Sequence, residues 1–147
     1  MNQKELENFE ASFEPTTPKI KKLLEFADEL NNYYGEEADD LFDVEIQERF
    51  GAAYETLTEE SYRGSKPEPF VFGGWNLLCK EQDGGEGQGD DYWVVIEAAK
   101  KGEESKFFKV PGWYSSGNGS ELTFSETFRV QPVQVLVNQW QKYKKQK

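Results

Sequence analysis

Histidine is absent from the 147 residues, and cysteine occurs once, as Cys79. Without histidine the chain has no Ser-His-Asp or Cys-His nucleophile system, no HExxH zinc hydrolase motif and no mixed Cys/His zinc centre. With one cysteine it has no intrachain disulfide, no all-thiolate metal site and no iron–sulfur cluster ligand set. That usage suits a reducing compartment, and Cys79, inside an apolar run, reads as a small buried hydrophobe rather than a reactive thiol. Long hydrophobic runs are missing as well. None approaches the roughly 20 residues needed to span a bilayer, and the opening MNQKELENFE lacks the apolar region of a signal peptide, so the expected location is cytoplasmic. The chemistry left open is carboxylate acid–base pairs, oxygen-ligated Mg²⁺ or Ca²⁺ sites and lysine chemistry.

Basic residues are scarce in the first half. Residues 1–65 carry 17 carboxylates and 6 cations, whereas residues 66–147 carry 11 of each, so the whole net charge of -11 belongs to the first half. Between Glu25 and Glu60, 13 carboxylates face one cation, Arg49. The chain closes on the basic KYKKQK. An aromatic content of 15% beside a mean hydropathy of -0.84 predicts a folded chain whose modest core is filled by large side chains. The length is that of one domain, read as an acidic helical half (1–65), a β-rich half (66–140) and a basic tail (141–147).

Thr17 as N-cap, Pro18 at the first helical position and Gly35 past the end delimit a helix. Its core stripe is Ile20, Leu23, Leu24, Ala27, Leu30 and Tyr34. Leu6, Phe9 and Phe13 suggest a shorter helix before it. After Gly35, Phe42, Ile46, Phe50, Ala53 and Leu57 keep helical spacing, although 42–46 also alternates like a strand. Ser65-Lys66-Pro67-Glu68-Pro69 is an extended connection, and from there the period changes to two. Strands are expected over 70–80, 92–98 and 106–110, with 83–91 a flexible connection and 127–140 closing the set. In the last segment the apolar residues change parity at Pro132, and a bulge there would put Phe128 and Val130 together with Val133, Val135 and Val137 on the core face.

The stretch PGWYSSGNGSELTF, residues 111–124, contains Asn118-Gly119, the preferred dipeptide of a two-residue type I′ hairpin turn. That turn pairs Ser115 with Leu122 and Trp113 with Phe124, and places Trp113, Ser115, Leu122 and Phe124 on one buried face. A hairpin explains the stretch without a ligand. The expected fold is α+β, with N-terminal helices packed on one face of an antiparallel β-meander of about five or six strands.

Glu36, Glu37, Asp39, Asp40, Asp43 and Glu45 form the densest acidic cluster. Its competing readings are a solvated helix start, a partner-binding surface and a hard-cation site, and the EF-hand ligand pattern is absent. GGEGQG, residues 84–89, misses the phosphate-loop frame, and four neighbouring carboxylates would repel a phosphate. Most of the surface has the wrong sign for nucleic acid. Carboxylates spread over helices instead suggest imitation of a phosphate backbone. Lys109-Val110, the hairpin from Gly112 to Ser116, and Glu126, Val130 and Pro132 together resemble the C-terminal part of small proteins encoded by bacteriophages and related mobile elements. The resemblance covers about a quarter of the chain. It implies an accessory role exercised by binding and no particular activity.

The expectation is therefore a non-enzymatic accessory protein, without cofactor or metal, that binds another protein through the acidic helical surface while the sheet serves as scaffold. A partner with a basic surface suits it; direct contact with nucleic acid or membrane does not. The alternatives are a DNA-mimic inhibitor, a divalent-cation-dependent enzyme using the clustered carboxylates, and a glycan-binding module using exposed Trp93, Trp113 or Tyr114.

Overall fold

The computed structural model describes residues 2–32, 44–59, 68–84, 91–115, 119–133 and 140. Its elements are α1 (Gln3–Ala11), α2 (Thr17–Asn32) and α3 (Val44–Thr58), then β1 (Phe70–Phe72), β2 (Trp75–Gly84), β3 (Asp91–Ala99), β4 (Lys106–Ser115), β5 (Gly119–Leu122), a 3-10 turn (Phe124–Glu126) and β6 (Phe128–Val130). All strand pairs are antiparallel, in the order β1-β2-β3-β4-β5, with β6 also pairing β4. This is the α+β arrangement expected from the switch of period, with helices first and sheet second.

The starts of α1 and α2 have local causes. Asn2 caps α1 by accepting from the Glu5 N–H at 2.8 Å, while its amide donates to the Glu5 carboxylate, a reciprocal arrangement of capping-box type. The cap of α2 is Thr16, whose hydroxyl accepts from the Lys19 N–H, so the cap lies one residue before the expected Thr17, which is itself the first helical residue. Residues 33–43, where the spacing predicted the end of one helix and the start of the next, lie outside the described residues.

The helices and one face of the sheet share a single core. Ile20, Leu23, Leu24 and Ala27 of α2 and Phe50, Ala53 and Leu57 of α3 are buried, facing Phe72, Leu77, Val94, Ile96, Phe108 and Val110 of the strands. Strand partners such as Val94–Val110 and Ile96–Phe108 carry this surface across the sheet. Cys79, opposite Ile96, belongs to it and is buried. At the α1 end the core is aromatic: Phe13 meets Phe72 edge-to-face at 4.8 Å, and Phe50 meets Phe26 at 5.0 Å. Such pairs contribute about 0.5–1.5 kcal/mol beyond their burial.

Three strand expectations are corrected. The segment 70–80 is two strands, because Gly73 and Gly74 adopt positive φ (59° and 84°) and close a two-residue hairpin with Phe72 opposite Trp75. The β4–β5 hairpin pairs Ser115 with Gly119 and Gly112 with Leu122, so Gly119 is a strand residue and Trp113 lies opposite Glu121 rather than Phe124. Leu122 thereby continues the core line of Phe108 and Val110, and Trp113 points to the other side. Gly112 permits that register: a Cβ there would lie 2.0 Å from the Glu121 carbonyl oxygen. Finally, Phe128 and Val130 pair with Lys109 and Phe107, which puts both on the face away from the helices, and Val133 is exposed. The expectation that these residues face the core fails at Phe128 and Val130 because β6 takes its parity from β4, and at exposed Val133, while Val135 and Val137 lie outside the described residues.

Candidate functional site

The sheet has a second face, and among the described residues no element packs over it. Cross-strand partners share a face. One row across four strands is Leu78, Glu97, Phe107 and Val130, and the next is Glu81, Val95, Lys109 and Phe128. Beyond them follow Trp93 opposite Pro111, then Trp113 opposite Glu121. A bulge at Lys80, between Cys79 and Glu81, keeps Cys79 on the core side and Glu81 in the outer row.

Trp113 is 47% exposed, Phe128 46% and Val71, at the far edge of the same face, 54%. Trp93, Val95, Phe107 and Val130 are half-buried by one another. Trp93, Val95, Phe107, Val130 and Pro132 line an open groove of about 560 Å³, whose charges are two lysines, Lys80 and Lys109, and two glutamates, Glu81 and Glu97. The Lys109 ammonium lies 4.4 Å from the Trp93 ring centroid, a cation–π contact. The face is thus an exposed apolar surface broken by a few charges of both signs.

The opposite side of the molecule is acidic. The described residues of 2–59 carry eleven carboxylates against five cations, and Glu5, Glu7, Glu25, Glu29, Glu48 and Glu55 are exposed. Of the six expected contact residues, Glu45 is exposed in the first turn of α3, while Glu36, Glu37, Asp39, Asp40 and Asp43 lie outside the described residues. No cluster of three or more potential metal-ligating side chains occurs among the described residues.

An ion pair joins the layers. Arg49 donates to both carboxylate oxygens of Glu10, at 2.9 and 2.7 Å, and to the Val71 carbonyl at 3.2 Å, while the Gly73 N–H donates to Glu10 at 3.3 Å. The Arg49 hydrogen bonds hold the Glu10 carboxyl below its usual pKa, against an opposing effect of burial, with the Gly73 N–H assisting. The guanidinium also lies within 5.6 Å of the ring centroids of Phe50, Phe70 and Phe72. With Glu10 accepting three hydrogen bonds and Arg49 donating three, this pair fastens α1, α3 and the β1–β2 hairpin together.

Of the four tryptophans, Trp75 is buried on the core side beneath Lys100 and Lys106, and Trp140 is 93% exposed. Sequence reasoning named Trp93 and Trp113 as candidates if exposed but assigned the sheet a scaffold role. The signal for an uncovered apolar face was β3 itself, YWVVIEAA, which is apolar at consecutive positions rather than alternate ones. No helix among the described residues is long and apolar enough to cross a membrane. Comparison of the chain with protein-family models, curated proteins and solved structures gives no match.

Proposed function

We propose that this is a non-enzymatic accessory protein that acts by binding another protein, and that its contact surface is the face of the sheet turned away from the helices. The observation that carries the reading is the groove of Trp93, Val95, Phe107 and Val130, flanked by exposed Trp113 and Phe128. Aromatic side chains bring large contact area at low entropic cost, and an apolar patch with a charged rim excludes water on association. The test is capture of partners by the tagged chain and by Val95→Lys at low and high salt. The reading expects a partner retained at high salt and lost with Val95→Lys. A partner equally retained by the variant would refute this surface.

A second reading rests on the exposed glutamates of the helical layer: an acidic surface that imitates a phosphate backbone and occupies a basic groove. It expects binding that weakens steeply with salt and competes with DNA. The quadruple change of Glu36, Asp39, Asp40 and Asp43 to Gln or Asn should then abolish binding with the fold intact. DNA-competitive binding retained by that variant would rule out the mimicry as placed on these four residues.

A further inference from the structure

Taking the sheet face as a contact surface, as proposed above, we infer that the protein it receives is a second copy of this chain. The centre of the face is a rectangle of four side chains. Val95 lies opposite Lys109 and Glu97 opposite Phe107, so the charges occupy one diagonal and the apolar residues the other. Let a two-fold axis run in the plane between two copies, along the Val95–Phe107 diagonal. Val95 and Phe107 then meet their own counterparts, and each Glu97 meets Lys109 of the partner subunit. The surface is self-complementary, as an isologous contact requires. With strands about 4.8 Å apart and next-but-one residues about 6.7 Å apart, that axis sets the strands of one copy at about 70° to those of the other, close to orthogonal sheet packing.

Long-range charge selects the same geometry. The excess negative charge resides in the N-terminal half, and its described part is the helical layer on the far side of the sheet. Two sheets stacked face to face, about 10 Å apart, with a helical layer of about 10 Å outside each, hold the acidic surfaces several Debye lengths from one another. Contact through the helices would instead press like charges together.

Sedimentation equilibrium of the full chain, from about 1 to 500 μM, reads the result. The wild type should move from the 17.0 kDa monomer to twice that mass. Glu97→Lys opposes lysine to lysine and Lys109→Glu opposes glutamate to glutamate, so each should weaken the dimer about tenfold or more. The double variant Glu97→Lys/Lys109→Glu restores opposite charges and should restore the dimer. Circular dichroism confirms that each variant is folded. A wild type that stays monomeric overturns self-association, and if its captured partner is still lost with Val95→Lys, the binding reading stands without it. A dimer indifferent to the single swaps, or not recovered by the double swap, uses another surface and equally overturns the inference.

Discussion

Removal of the Glu10–Arg49 pair tests how the N-terminal helix is fastened to the sheet. Arg49 and Glu10 side chains are 39% and 32% exposed, so their attraction is screened by water and belongs with exposed pairs rather than buried ones. Paired, two-point geometry and the Gly73 N–H place it at the upper end of that range, a coupling of about 1 kcal/mol. The perturbation is the set Glu10→Gln, Arg49→Met and the double variant, compared by urea unfolding. Arg49→Met keeps an apolar stem over the phenylalanines, so the cycle isolates the charge. Because the folded pKa of Glu10 is lowered, its stabilisation is present above the unfolded pKa and is lost as pH falls through the folded one. Wild type and Glu10→Gln should therefore differ near neutrality and converge in acid. A coupling below about 0.3 kcal/mol, or a difference that persists unchanged in acid, would refute the reasoning.

Phe50→Ala empties a fully buried site between Phe26, Phe70 and Phe72 and should cost about 3–5 kcal/mol by denaturant unfolding. Gly112→Ala drives a methyl group into the Glu121 carbonyl and should cost about 3 kcal/mol, with amide exchange in β5 accelerating most. Gly73→Ala meets both a positive φ and a Cβ position 2.8 Å from the Phe13 Cβ, so it should destabilise more than Gly102→Ala, where φ is also positive but the space is open. In contrast, Val95→Lys, on the uncovered face, should leave the unfolding midpoint within a few degrees of the wild type.

Helices and meander were legible because their apolar periods differ and their caps and breakers are local. What resisted sequence reading was non-local. Phe-Gly-Gly-Trp carried a hairpin signal, yet the apolar run through 70–80 concealed it, since Phe70, Phe72, Trp75, Leu77 and Cys79 all reach the core on either side of the turn. At Asn118-Gly119 the local turn preference was overridden by register: Leu122 gains a place beside the core only opposite Gly112, three residues away from the local prediction. For the site, β3 was the informative element. A strand apolar on both faces, in an antiparallel sheet whose only described helices lie on one side, leaves Trp93 and Val95 half-buried on the side without described helices. The acidic cluster was visible as composition, but composition carries no geometry, and only Glu45 of its six residues lies among those described.

Cys79 has a further use. Its thiol is sealed between the helical layer and the sheet, with the sulfur directed to the Glu81 carbonyl, and no other cysteine competes for reagent. Alkylation in the native state therefore proceeds only when that seam parts, and its rate, divided by the rate for an exposed thiol, gives the equilibrium population of the parted state. The unmodified chain thus carries its own clock for breathing between its two layers. Run on the Glu10 and Arg49 variants, that clock tells whether the clasp at one end of the molecule governs opening at the middle.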